Sequence, residues 1–293
     1  MKTAIYGRQF DAAVTPYVQK FISLLEEKRF PLLIYDKFYE QLKIAGIQFT
    51  SKPKVFNDHK GLQKSTDYLF SIGGDGTLLD TITLVRDSQI PVMGINVGRL
   101  GFLSSISKEA IEMAINNIVE KNFLLDPRTL VKLDTEKGLF GETNYALNEI
   151  TIHKKDTASM IVIHTYIDGE YLNSYWADGL IISTPTGSTG YSLSCGGPIV
   201  VPGTENFVLT PIAPHNLNVR PIVVPDTSTI KLKVEGRNQF FLVTLDSRSE
   251  TIDSSTEMII SRSSFKINLI KSHDQNFFKT IRNKLMWGID KRN

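Results

Sequence analysis

Three glycines interrupted by a carboxylate, Gly73-Gly74-Asp75-Gly76-Thr77, follow an apolar run at residues 68–72 and lead into helical spacing from 77 to 85. A strand-to-helix turn of this composition lets the backbone come close to a ligand and aims free amides at it, which suits phosphate. Gly73, Gly74, Gly76 and Thr77 are therefore candidate phosphate-binding residues. Asp75 is the odd member, because a carboxylate among such amides repels an anion unless it faces something else. It can orient a metal or take a hydroxyl proton, and Asp75 is the candidate catalytic residue. The plainer reading makes Asp75 a cap of the following helix and the glycines mere carriers of left-handed backbone angles. No Walker pattern and no G-x-G-x-x-G run accompanies the turn, which disfavours a P-loop NTPase and a Rossmann dehydrogenase.

Two further stretches carry polar chemistry. Asn148-Glu149 lies in a strand-like run where adjacent side chains point to opposite faces, so one faces a ligand and the other needs a bend to join it. As ordinary strand residues both would face solvent. Thr184-Pro185-Thr186-Gly187-Ser188-Thr189-Gly190-Tyr191 packs hydroxyls between glycines and a proline; its donors converge on a ligand or cap the next turn. Arg99 is a candidate phosphate contact or an exposed loop arginine, and Phe102 lines a pocket or fills a core. The five histidines, His215 among them, lack partners at metal-ligand spacing, and no protein metal site is expected. Cys195 is the single cysteine, which rules out an internal disulfide and reads as a packed side chain.

The elements that must position these residues change character along the chain. Apolar runs at 3–6, 31–35, 68–72 and 91–95 alternate with helical patterns from Thr15-Pro16, from 37 to 45, and over Ile111, Ala114, Ile115 and Ile118 behind Ser107. From about Arg128 short β-rich runs take over, with a mirror-image hairpin turn at Asp168-Gly169, before helical spacing returns at 276–287. The expected fold class is an N-terminal Rossmann-like parallel-sheet α/β domain, an all-β sandwich-like domain, and a C-terminal helix returning to the first. The expected domains are 1–127 with 273–293, and 128–272.

With 33 basic and 31 acidic residues the formal charge is only +2, so nucleic acid is an unexpected partner. Apolar runs fall short of the roughly 20 residues a membrane helix needs, and a cytoplasmic protein without membrane contact is expected.

In family order, the blocks Gly73-Gly74-Asp75-Gly76-Thr77-Leu78-Leu79, Gly94-Ile95-Asn96-Val97-Gly98-Arg99-Leu100-Gly101-Phe102-Leu103, Asn148-Glu149, residues 178–194 and Pro211-Ile212-Ala213-Pro214-His215-Asn216-Leu217 resemble the NAD kinases. The turn alone is also similar to diacylglycerol, sphingosine and phosphofructokinases; the block 178–194 is the specific part. The resemblance implies transfer of the γ-phosphoryl of ATP, with Mg2+ or another divalent cation, to the 2′-hydroxyl of the adenosine ribose of NAD. It implies NAD contacts from Gly74, Asp75, Gly76, Phe102, Asn148, Glu149, Asp178, Thr186, Thr189, Gly190, Tyr191, Ser194 and Asp246. It also implies a homo-oligomer, dimer or tetramer, whose site is shared between subunits through Asp178. Polyphosphate is a conceivable donor, and a lipid or sugar kinase or a non-catalytic nucleotide sensor are the alternatives. One departure concerns Asp246, followed by Ser247 where the family has glycine; losing glycine disfavours a left-handed backbone there.

Overall fold

The computed structural model describes residues 1–63, 66–98, 101–104, 106–155, 159–237, 239–273 and 275–288. The chain divides into two compact units, Met1–Pro127 with Ile267–Asn293, and Arg128–Lys266.

The first unit contains β1 (Thr3–Gly7), α1 (Thr15–Glu27), β2 (Leu32–Tyr35), α2 (Asp36–Ile44), β3 (Lys54–Phe56), α3 (His59–Gln63), β4 (Tyr68–Ile72), α4 (Asp75–Val85), β5 (Val92–Asn96), β6 (Ile106–Ser107) and α5 (Ile111–Val119). The strands β5-β4-β1-β2-β3 pair in that order and are all parallel. β1 and β5 are buried along their whole length, as a parallel sheet covered by helices requires. Spacing explains the cover: Val18, Phe21, Ile22 and Leu25 of α1 and Ile111, Ala114, Ile115 and Ile118 of α5 each form one apolar stripe in a single core. α1 starts at Thr15 with Pro16 in its first turn, and a short 3-10 turn over Ala12–Val14 runs directly into it.

The order of construction matters for function. The chain lays β1, β2 and β3 outward, then returns to place β4 on the opposite side of β1. The order in which strands are added therefore reverses between β1 and β4, the point where open α/β sheets bind ligands at the carboxyl ends of their strands.

The second unit is an antiparallel sandwich. Its elements are β7 (Leu124–Asp134, entering from the first unit), β8 (Tyr145–Ala146), β9 (Glu149–Lys154), β10 (Ile161–Ile167), β11 (Glu170–Ala177), β12 (Gly179–Ser183), α6 (Tyr191–Ser194), β13 (Asn206–Ile212), β14 (Ile222–Pro225), β15 (Ile230–Glu235), β16 (Phe240–Leu245), β17 (Arg248–Asp253) and β18 (Met258–Lys271). One sheet runs β14-β13-β12-β9-β16-β17; the other runs β11-β10-β15-β18, with β7 beside β18 and β8 beside β7. Alternate residues of the two sheets, such as Ile150, Ile152 and Val243 from one and Ile161, Ile163 and Leu232 from the other, meet in one core. At the β10–β11 turn both Asp168 (φ 52°) and Gly169 (φ 87°) are left-handed, as the mirror-image hairpin demands.

β18 carries the chain out of the sandwich, and α7 (Phe277–Leu285) belongs to the first unit. The first unit resumes at Ile267, inside β18, where 273 was expected from the return of helical spacing; within that unit Leu269 pairs with Val92. No described helix is long and apolar enough to cross a membrane.

Candidate active site

The candidate residues fall into two groups, one on each unit. In the first, a cavity of about 290 Å³ opens at the carboxyl ends of β1, β4 and β5, lined by Arg8, Gly73, Gly74, Thr77, Asn96 and Gly98 among others. It occupies the point where the strand order reverses. Gly74 stands at the N-cap of α4 with extended backbone, and its carbonyl accepts the amides of Thr77 and Leu78 at 3.0 and 3.2 Å. The amides just inside the helix start are those a helix leaves unpaired, which makes this end a phosphate seat. Gly73 has φ +153°, and a Cβ there would lie 2.3 Å from Thr77 Oγ1, so only glycine closes the turn. A Cβ on Gly74 or Gly76 would meet nothing within 4 Å; these two leave open space above the turn.

Asp75 does not cap the helix. Its Oδ2 accepts the amide of Phe102 at 2.8 Å, and its Oδ1 accepts those of Leu103 and Ser104 at 3.1 and 2.8 Å. A Cβ on Gly101 would come within 1.8 Å of Oδ1, so the loop closes on the carboxylate only because Gly101 has no side chain. A carboxylate has about four acceptor sites, and three amides leave one, on Oδ2, for a hydroxyl or a cation. Asn96, buried, steadies the same loop by accepting the Gly98 amide at 2.8 Å and donating to the Ser104 carbonyl at 3.4 Å. Phe102 is half-buried with the Lys284 ammonium 5.9 Å from its ring centre. Arg99 lies outside the described residues.

The sequence reading missed Arg8. It follows β1 directly and is held by a fork to Asp80, Nε at 2.6 Å and Nη2 at 2.7 Å, while Tyr6 donates to the same carboxylate at 2.9 Å. Burial, then the Asp80 charge, drives the Tyr6 phenol well above its usual range, so it stays a donor. The signal was available: a cation just past the end of the first parallel strand sits where ligands bind.

In the second unit, Asn148 and Glu149 meet the hydroxyl-rich loop. The Asn148 carbonyl accepts the Thr184 amide at 2.9 Å, and the Thr184 hydroxyl donates to the Leu147 carbonyl at 2.6 Å. A Cβ on Gly190 would lie 3.3 Å from Glu149 Oε2 and 3.8 Å from Asn148 Nδ2, so both side chains flank one spot. Asn148 Oδ1 and Glu149 Oε2 are buried acceptors with no hydrogen-bond partner. Most loop hydroxyls are spent on structure: Thr186 accepts from the buried Arg128 at 2.9 Å, Ser188 donates to the Pro185 carbonyl at 2.7 Å, and Thr189 reaches the Thr186 carbonyl at 3.4 Å.

Other expected residues are more scattered. Tyr191 and Ser194 are exposed on α6. Asp178 precedes β12 and is paired with Lys154 at 2.6 Å. Five residues of strand at about 3.3 Å each separate it from the 184–190 loop. Its charge is felt by Tyr191, whose pKa is raised first by the partial burial of the phenol and then by Cys195 and Asp178. Burial pushes the Cys195 thiol up, which suits packing rather than nucleophilic chemistry. The carboxylate of Asp246, expected as a contact to NAD, accepts the amides of residues 147–149. The concern over Ser247 resolves in the backbone: Asp246 itself takes the left-handed position (φ 52°), and Ser247 is not among the positive-φ residues.

Burial, and after it the charge of Asp246, pushes the Glu149 carboxyl up to about 8 from an ordinary 4.5. The folded state then binds a proton that the unfolded state releases, so the stability this group contributes is complete below about 4.5 and declines as pH rises to about 8. Glu149→Gln is expected to reduce that decline, read as the thermal midpoint between about pH 5 and about pH 9. An unchanged slope would remove Glu149 as its source.

Residues 6–123 match the ATP-NAD kinase N-terminal domain, and residues 147–272 the ATP-NAD kinase C-terminal domain. The chain is 49% identical over 290 residues to the NAD kinase of Cytophaga hutchinsonii, covering 99% of each chain. It is 48% identical to that of Flavobacterium psychrophilum, covering 100% of each. Its fold superimposes on yeast NADH kinase complexed with NADH with a TM-score of 0.86 at 23% identity, covering 99% of this chain and 89% of that one. An NAD kinase from Archaeoglobus fulgidus in complex with ATP gives a TM-score of 0.75 at 26% identity, covering 98% and 99%.

Proposed function

The chain belongs to the ATP-NAD kinase family, and from that membership we infer that it transfers the γ-phosphoryl group of ATP to the 2′-hydroxyl of the adenosine ribose of NAD, giving NADP. The observation that carries the assignment of the acceptor is the pair of buried, unpartnered oxygens, Asn148 Oδ1 and Glu149 Oε2, beside the side-chain-free Gly190. Unpaired buried acceptors are costly, and the hydroxyls and amine of an adenosine are donors that would satisfy them. Glu149, with its carboxyl pushed up to about 8, is mostly protonated at neutral pH and also has a proton to donate.

In this reading the amides of the turn at 73–77 receive donor phosphate, and Arg8, held by Asp80, supplies positive charge at the same cavity. Arg99 belongs to the same phosphate group by resemblance. Asp75 offers its remaining Oδ2 acceptor site to the ribose hydroxyl, orienting it and taking its proton. Asp11, which lines the turn cavity, is a hard oxygen donor of the kind Mg2+ accepts and would hold the ion there. Bound there, the ion would supply positive charge that offsets the charge of the phosphates. Phe102, Thr186, Thr189, Gly190, Tyr191 and Ser194 complete the acceptor contacts. Asp178, set apart from the Glu149 cluster along its own strand, fits a contribution to the site of a second copy in a dimer or tetramer. A cytoplasmic location belongs to the same reading.

Purified protein incubated with ATP, Mg2+ and NAD is expected to form NADP, read with an NADP-specific dehydrogenase. Parallel incubations with diacylglycerol or a hexose test the other kinases that share the glycine turn. Normal NAD binding without NADP would overturn the kinase assignment in favour of a nucleotide sensor.

A further inference from the structure

In an extended strand, successive amides point in opposite directions, and so do successive side chains. Residues 147–149 depart from this. β8 ends at Ala146 and β9 begins at Glu149, and the amides of the two residues between them and of Glu149 itself converge on one carboxylate. Asp246 Oδ2 accepts from Leu147 at 2.8 Å, and Oδ1 accepts from Asn148 at 2.8 Å and Glu149 at 3.2 Å. The Asp246 amide returns a bond to the Glu149 carbonyl at 3.1 Å. This arrangement supplies the bend that alternation alone would deny, and its result is visible at Gly190, where the side chains of both Asn148 and Glu149 arrive.

The clasp is built into the β16–β17 hairpin. Leu245 pairs with Arg248, leaving Asp246 and Ser247 as a two-residue loop, and the left-handed backbone of Asp246 turns its side chain back over β9. Arg248 of the same hairpin donates to the carbonyls of Thr143 and Tyr145, so one turn pins the chain on both sides of β8.

We propose that Asp246 is a positioning residue of the dinucleotide site, holding Asn148 and Glu149 on one side of the strand through three backbone amides and touching no substrate itself. The proposal rests on the reading of Asn148 and Glu149 as NAD contacts.

Asp246→Asn keeps the shape but replaces one acceptor oxygen with an NH2 that faces an amide donor. Losing a charge-assisted hydrogen bond and opposing two donors is expected to raise the KM for NAD about tenfold or more, with the KM for ATP within about twofold. In a double-mutant cycle with Glu149→Gln, the combined rise in NAD KM should fall well short of the product of the single rises, because both substitutions damage one contact. Equal rises in both KM values, or multiplicative effects in the cycle, would mean that Asp246 only stabilises the fold, and would overturn the proposal. Should Asp246→Asn fail to fold, Asp246→Glu, which keeps the charge but overshoots the amides by one methylene, carries the same comparison. A wild-type protein that makes no NADP sinks the functional reading; an active wild type whose Asp246 variants leave NAD KM unchanged sinks this inference alone.

Discussion

Asp75→Asn is expected to lower kcat for NADP formation by about 10²–10³-fold while changing NAD affinity much less, the range a positioned proton acceptor supplies. The geometry makes this a two-part effect. Asparagine retains one oxygen for the amides of Leu103 and Ser104, but presents an NH2 to the Phe102 amide and loses the one acceptor site left over on Oδ2. The first loss loosens the loop at Phe102; the second removes the group that would hold the ribose hydroxyl. Steady-state rates of NADP formation give kcat, and calorimetric titration gives the NAD Kd. Equal losses in both would assign Asp75 to loop closure alone.

Gly187→Ala is expected to produce the largest loss of NAD affinity among single-methyl changes. A Cβ at this position would lie 2.1 Å from the Asn148 carbonyl oxygen, 2.5 Å from its carbon and 2.8 Å from its Cα, all backbone atoms that no side-chain rotation can clear. The backbones of the loop and of Asn148 must separate, which breaks the hydrogen bond that the Thr184 N–H donates to the Asn148 carbonyl (2.9 Å) and moves the buried acceptors away from Gly190. Overpacking of this kind costs about 1–3 kcal/mol in stability. The NAD Kd should rise about tenfold or more, since displacing the buried acceptors weakens their hydrogen bonds to the dinucleotide. Thermal unfolding and NAD titration on the same sample separate the two effects. A lowered midpoint with an unchanged Kd would detach the 184–190 loop from NAD binding.

Much of the architecture was legible because it rests on short-range patterns. The alternation of apolar runs with helical stripes before Pro127, the period-two β runs after it, and the Asp168-Gly169 turn are set by residues a few positions apart. The glycine turn belongs to the same class: Gly73 is required by its own φ and by Thr77, four residues on. The sequence alone therefore determined four of the parallel strands and most of the longer helices of the first unit, the β character of the second, and that a phosphate-shaped turn lies between β4 and α4; the short β3, α3 and α6 carried too few residues for a period to show. Which way the key carboxylates point was decided only in three dimensions. Asp75 meets amides 27 to 29 residues away, Arg8 meets Asp80 across 72 residues, and Asp246 reaches Leu147 across 99. Such pairings depend on strand order and register, which no local spacing specifies. The charge state of Glu149 likewise follows from burial and the nearby Asp246, so a side chain that reads as an ordinary solvent-facing glutamate becomes, once folded, a neutral acid beside Gly190.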